Sequence, residues 1–137
     1  MIPNTSHTSI IAAQKREKLL ETLPEELVDT AADFYQYLSV VPEAKIAVET
    51  GVSAMHDVTE GGIFGALWEI GAAADLGISA DLTKIPIRQE TIEVCEVFGI
   101  NPYQMMSSGS MLIGCAKGNL LVDRLKESGI QIGRAHV

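Results

Sequence analysis

A change of hydrophobic periodicity between Val52 and Ala74 constrains the fold more than any other feature of the chain. Val52–His56 is short, apolar and partly β-branched, which favours a β-strand. Asp57–Gly62 follows as a cluster of cap and turn residues. Apolar residues then recur at offsets of four, three and four, at Ile63, Leu67, Ile70 and Ala74. That spacing is typical of a helix, and Gly77 is suited to ending it, so we expect strand, turn and helix in this order.

The rest of the chain shows the same two kinds of pattern. Helical spacing predicts helices over residues 9–21, 24–38, 42–49, 88–98 and 119–128. Short apolar runs predict strands over residues 78–82 and 111–115, with a further extended segment at 130–132. Helices and strands alternate too irregularly for a repeating β-α-β design. The sequence therefore predicts an α+β fold with a mixed sheet of about four short strands covered by helices.

Length and composition predict one globular domain over residues 1–137. Of the 137 residues, 47% are hydrophobic and 20% are charged, which is enough apolar material for a core. Ten basic residues stand against 18 acidic ones, and the net charge of -8 disfavours nucleic acid and anionic membranes as partners. No apolar run approaches the roughly 20 residues of a membrane helix. Two cysteines, Cys95 and Cys115, are too few for a disulfide framework, which indicates a cytoplasmic setting and buried thiols.

The predicted turn groups residue types that bind anions and metal ions. Free amides at a helix start attract phosphate, and Gly61 and Gly62 would let it approach the backbone closely. Asp57 and Glu60 carry the hard oxygen atoms that Mg²⁺ prefers. A purely structural interpretation stays open beside this one: Thr59 would cap the helix, Glu60 would favour its dipole and the glycines would relieve a tight turn.

Other polar residues are less specific. A lone histidine at a strand end, His56, is more typical of a hydrogen-bonded structural role than of catalysis. The segment Ser107–Ser110 suits either a ligand loop or an ordinary turn before a strand. No spacing of cysteine, histidine and carboxylate predicts a metal cage, and no residue is assigned as a metal ligand.

Two stretches of this sequence resemble a known family. They read MHDVTEGGIFGALWEIGAAADLGISADLTKIPI and ETIEVCEVFGINPYQMMSSGSMLIGC. The first holds a D-x-T-x-G-G turn and an I-P-I segment, and the second an N-P-Y segment followed by S-S-G-S-M-L. Together they resemble the C-terminal domain of the aminoimidazole ribonucleotide (AIR) synthetase-related superfamily, in its hydrogenase-maturation, HypE-like branch. The resemblance runs from about Thr8 to Gln131.

The resemblance implies an ATP-dependent enzyme that activates an oxygen or a carboxamide by phosphoryl transfer, as a homodimer with Mg²⁺. It implies ligand contacts for one turn and one loop, at positions His56, Asp57, Thr59, Gly61, Gly62, Ser108 and Gly109. In this superfamily an N-terminal domain supplies most groups that bind ATP and metal, and this chain begins where that domain would end. We therefore expect it to need an N-terminal ATP-binding domain as partner, to complete a site for a small-molecule substrate, and to be inactive alone.

The end of the chain departs from the hydrogenase-maturation pattern. That branch carries a C-terminal cysteine that accepts a carbamoyl group, whereas residues 129–137 contain none, so this chemistry is not expected here. Residues 134–137 are interpreted as a truncated end or as foreign residues, and they are left out of the fold prediction. A second hypothesis is a non-catalytic binding or assembly module that keeps the same fold.

Overall fold

A computed structural model describes residues 5–133 and the backbone of residues 135 and 136. The helices are α1 (Thr5–Gln14), α2 (Arg16–Leu20), α3 (Glu25–Ala32), α4 (Val41–Thr50), α5 (Gly62–Ala74), α6 (Gln89–Phe98) and α7 (Gly118–Glu127). The strands are β1 (Ala54–Asp57), β2 (Ser79–Ala80), β3 (Met111–Gly114) and β4 (Ala135–His136). Short 3₁₀ turns cover Asp33–Tyr37 and Leu82–Lys84. The α+β class is confirmed, and no helix in the described residues is long and apolar enough to cross a membrane.

The first two predicted helices are each divided. Lys15, with φ -115° and ψ 25°, separates α1 from α2, and α3 passes into the 3₁₀ turn at Asp33. The buried face of α1 carries hydroxyl side chains beside Ala12. Thr5 and Thr8 are fully buried, whereas Ile10 is 46% exposed. Hydrogen bonding accounts for the burial of Thr8, because its Oγ1 lies 3.1 Å from Thr91 Oγ1 of α6.

The four strands form two antiparallel ladders instead of one mixed sheet. In the first, β1 pairs with β3 so that Ala54 lies opposite Gly114 and Asp57 opposite Met111. In the second, β2 pairs with β4 through two residues of each strand. The predicted extended segment 130–132 is not a strand, and Arg134 and Val137 of the excluded end lie outside the described residues.

Within residues 5–133 the core consists of three apolar clusters. The largest joins α1, α2, α3 and α6 through Ala12, Leu19, Val28, Ala31 and Val94. A second joins α4 to α7 through Ala47, Leu121 and Leu125. The third consists of Val58, Ile63 and Ala66, which bracket the turn that leads into α5. Burial of these side chains anchors both ends of the turn and leaves its middle at the surface.

Candidate functional site

The turn between β1 and α5 is built as the periodicity predicts, but it is capped differently. Gly61 is the N-cap residue of α5, in the left-handed conformation with φ 74°, and no side chain caps the helix. The interpretation of Thr59 as the cap is therefore wrong. Its carbonyl instead accepts the Gly62 amide at 3.2 Å, which closes the turn through the backbone.

The loop 103–105 occupies part of the space that a phosphate would need at the start of α5. The Phe64 amide donates to the Tyr103 carbonyl at 3.2 Å, so two early amides, those of Gly62 and Phe64, already have acceptors. A Cβ on Gly62 would lie 2.6 Å from the carbonyl oxygens of both Tyr103 and Met105. Close packing against this loop accounts for Gly62 without a ligand. Tyr103, whose ring stacks on Phe64 with centroids 5.5 Å apart, helps to hold the start of α5, and no local pattern indicated this contact.

Three oxygen-bearing side chains of the turn remain unused. Asp57, Thr59 and Glu60 are exposed, and within residues 5–133 their side chains form no hydrogen bond or ion pair. Gly61 is also exposed. The polar face of the turn is therefore open to a group from outside this chain.

His56 is held through both ring nitrogens. Its Nδ1 lies 2.5 Å from the Asp57 carbonyl oxygen, and its Nε2 lies 2.6 Å from Oε2 of Glu69 on α5. The contact with Glu69 ties β1 to α5, which agrees with a structural role for His56. Glu69 was missed at the sequence level because its spacing from His56 follows no helix or strand period.

The second predicted loop lies beside the turn. The Val58 amide donates to the Ser110 carbonyl at 3.0 Å, which continues the β1–β3 ladder beyond Asp57. The structure therefore brings the two segments that carry the predicted site residues together at one end of this ladder. Whether they bind a ligand stays a prediction.

Ser108 and Gly109 are fixed from the side of α1. Thr5 Oγ1 donates to the Ser108 carbonyl at 2.7 Å. Gly109 has φ 96°, and a Cβ there would lie 2.7 Å from the Tyr37 carbonyl oxygen and would also collide with the Thr5 hydroxyl. Only glycine fits this close approach without strain, so Gly109 has a packing role of its own.

The described residues also line cavities away from the turn. One of about 610 Å³ is lined by β3, α7 and apolar residues of α5 that include Ile63 and Leu67. The other, of about 550 Å³, lies beside Trp68 and Leu76. Neither is lined by residues 57–62, so the turn lies outside both cavities, at the open surface.

The described residues offer few ligands for a metal ion. Within the described part of the chain, no group of three or more histidine, cysteine or carboxylate side chains could hold a metal ion. Asp57 and Glu60 offer two carboxylates on one turn. Two such ligands fit a Mg²⁺ ion that is held mainly by phosphate oxygens and water, because this ion usually keeps several waters and takes few protein ligands.

The two thiols differ in burial. Cys95 on α6 is 2% exposed, and burial raises the pKa of its thiol to about 11. Cys115 is partly exposed, and its Sγ lies 3.5 Å from the Gly51 carbonyl oxygen. A thiol with so high a pKa is a poor nucleophile at neutral pH, so Cys95 has the properties of a core residue.

Comparison with known proteins gives matches over most of the chain. The family model described as "AIR synthase related protein, C-terminal domain" matches residues 3–136. Carbamoyl dehydratase HypE of Rhodobacter capsulatus is 34% identical over 68 residues, which are 50% of this chain and 20% of that protein. Carbamoyl dehydratase HypE of Rhizobium leguminosarum bv. viciae is 27% identical over 103 residues, 75% of this chain and 28% of that protein.

Two solved structures share the fold. The crystal structure of E. coli HypE, a hydrogenase maturation protein, has a TM-score of 0.57 at 22% identity, covering 64% of this chain and 29% of that one. HypE in complex with ATP has a TM-score of 0.56 at 23% identity, covering 66% and 30%. The chain thus spans between a fifth and a third of the length of these relatives.

Proposed function

Because this chain belongs to the AIR synthase-related family, as a C-terminal domain of the HypE type, we propose that it completes the site of an ATP-dependent phosphoryl-transfer enzyme. An N-terminal domain would bring the nucleotide to the turn between β1 and α5. One of the structural relatives is a HypE protein in complex with ATP, which supports a nucleotide as ligand. That the whole enzyme acts on a small-molecule substrate and forms a dimer is also part of this proposal, since the chain spans only part of the length of its relatives.

The observation that carries the proposal is the unused polar face of the turn. Asp57, Thr59 and Glu60 are exposed, and their side chains have no partners within residues 5–133, although they follow one another closely at the start of a helix. The Thr59 hydroxyl and the Gly61 amide are the groups that would donate to phosphate oxygens, because the amides of Gly62 and Phe64 are occupied. The positive end of the α5 dipole favours negative charge at the same place.

The family-implied Mg²⁺ would be held from this side by Asp57 and Glu60. When bound, such an ion neutralises charge on the phosphates during transfer. The residues of this chain would then orient the phosphate and exclude alternative positions, which is how most catalysis of phosphoryl transfer is achieved. Glu69 would hold His56 in place beneath the turn without contacting the ligand.

A second candidate is a binding or assembly module. It is favoured by the apolar surface beside the smaller cavity, where Trp68 is 74% exposed and Leu76 is 56% exposed. Large exposed apolar side chains next to each other mark protein interaction sites. In that case the turn would have no ligand, and the domain would serve through contacts with a partner.

Calorimetric titration of the protein with ATP, in the presence of Mg²⁺, distinguishes the two candidate functions. It is carried out on the 137-residue chain alone and on its mixture with a separately produced N-terminal domain of a HypE relative. We expect the mixture to bind ATP more tightly than either domain alone. Asp57→Asn and Glu60→Gln should weaken binding by the mixture about tenfold, while Glu96→Gln, an exposed carboxylate on α6, should have no effect. Domain association without any effect of the turn variants on ATP binding would favour the module and overturn the proposal.

A further inference from the structure

Among the described residues, Arg88 is a cation without an anionic partner. It stands at the N-cap of α6, and its Cζ atom lies 5.3 Å from the ring centre of Phe34 and 5.1 Å from that of Tyr37. Its Nε is buried and has no hydrogen-bond partner within that part of the chain. Within residues 5–133 no carboxylate lies within ion-pairing distance of its guanidinium.

Among the three arginines within residues 5–133, Arg88 differs in having neither a hydrogen bond nor an ion pair there. Acidic residues outnumber basic ones by 18 to 10, so carboxylates are plentiful. The other two arginines in the described residues are engaged: Arg16 pairs with Glu25 and Asp29, and Arg124 donates to Thr50 Oγ1 at 3.2 Å. A buried N–H group without an acceptor is costly and usually has one supplied from elsewhere.

The 3₁₀ turn that carries Tyr37 also packs against α1. Tyr37, which stacks under the guanidinium, places its carbonyl oxygen against Gly109 of the second loop. That loop is held by Thr5 in the first turn of α1. In the same turn, Ser6 Oγ and His7 Nδ1 are buried without partners among residues 5–133, and Ser6 as a whole is only 7% exposed. Unsatisfied polar groups therefore occur both at Arg88 and on α1, which packs against the turn that carries Tyr37.

We infer that Arg88 binds an oxyanion, the phosphate or carboxylate group of a small ligand, beside the Ser107–Gly109 loop. The two aromatic rings hold the planar guanidinium in one orientation, so its remaining N–H groups form a fork that matches two oxygen atoms. Partial burial strengthens this pairing relative to an arginine in water. The inference goes beyond the proposed function, because it requires neither ATP nor a second domain.

The test uses the ¹⁵N-labelled 137-residue chain and follows the arginine Nε–H resonances by nuclear magnetic resonance. Sodium phosphate and sodium acetate are titrated separately at constant ionic strength. We expect a saturable shift of the Arg88 signal with at least one of them, and the tighter ligand identifies the class of oxyanion. The signals of Arg16 and Arg124 should not saturate, because both are already paired or exposed.

Variants provide the control. Arg88→Gln should abolish the saturable change, and Arg88→Lys, which keeps the charge but loses the fork, should lower the affinity about fivefold or more. Arg124→Gln removes the same charge from an exposed position and should leave the affinity unchanged. The inference is overturned if neither anion gives a saturable shift in the unmodified chain, a result that does not depend on whether the variants fold. Unchanged affinity in Arg88→Gln would overturn it as well.

Discussion

Gly62→Ala should destabilise the domain far more than an equivalent substitution at Gly99. Gly62 has φ 61°, and a Cβ there would lie 2.6 Å from the carbonyl oxygens of Tyr103 and Met105 and 2.8 Å from the carbonyl carbon of Gln104. These neighbours are backbone atoms, which cannot move aside as the end of a flexible side chain can. Gly99 has almost the same φ, 64°, but nothing lies within 4 Å of its added Cβ.

The comparison separates two costs. An L-residue in the left-handed region costs about 1–2 kcal/mol, and both variants bear this cost. Overpacking adds about 1–3 kcal/mol, and only Gly62→Ala bears it. We therefore expect a loss of about 2–5 kcal/mol at Gly62 and about 1–2 kcal/mol at Gly99. A loss at the upper end is a large fraction of the stability of an ordinary domain, about 5–15 kcal/mol.

Urea denaturation followed by far-ultraviolet circular dichroism measures both values on the full chain. The Phe64 amide proton should in addition exchange faster in Gly62→Ala, because the shifted loop no longer places the Tyr103 carbonyl at 3.2 Å. Equal destabilisation by the two substitutions would refute the reasoning. It would mean that loop 103–105 does not pack against the start of α5.

Two further predictions concern the core. Since burial raises the pKa of Cys95 to about 11, iodoacetamide at pH ~8 should alkylate Cys115 and leave Cys95 intact in the folded chain, as read by mass spectrometry. Equal labelling of both thiols would contradict the protection of Cys95. An unfolded thiol loses its proton near pH ~8.5, so above that pH the folded state binds one more proton than the unfolded state. The free energy of unfolding should therefore decrease as the pH rises from about 9 towards about 11. Thr8 and Thr91, both fully buried with hydroxyls 3.1 Å apart, should be strongly coupled. Each single change to valine should cost about 1–3 kcal/mol by leaving one hydroxyl unpaired, whereas the double variant should cost less than the sum, and strict additivity in the denaturation cycle would disprove the coupling.

Several elements could be predicted because their signals are local. The helix predicted from Ile63, Leu67, Ile70 and Ala74 is α5, and the helix predicted over 119–128 matches α7 within one residue at each end. Glycine is suited to a left-handed helix end, and Gly51 and Gly99 both occupy one. In such segments the period of apolar residues and the capping residue decide the structure almost without reference to the rest of the chain. The prediction that Gly77 ends the helix of the turn was wrong, because α5 ends at Ala74 and Asp75 takes the left-handed position with φ 53°.

Predictions failed where the local structure depends on contacts with residues far away in the sequence. A helix was predicted only from residue 9, but α1 begins at Thr5, and Ser108 and Thr91 supply hydrogen-bond partners for the buried hydroxyls of Thr5 and Thr8. Four strands were expected in one sheet, yet β2 and β4 pair apart from β1 and β3. Strand pairing joins residues far apart in sequence, so the composition of each strand alone does not select its neighbour.

The sequence by itself determined that a strand, a glycine turn and a helix follow each other from residue 52 onward, and the order of its motifs indicated the family. Only the tertiary structure decided how the turn is used. The Tyr103 carbonyl accepts a hydrogen bond from the Phe64 amide, and Glu69 contacts the His56 ring. The side chains of Asp57, Thr59 and Glu60 are left without partners among the described residues. The physical reason is that periodicity and turn chemistry act between residues close along the chain. Which polar group is satisfied depends instead on segments that meet only when the chain packs.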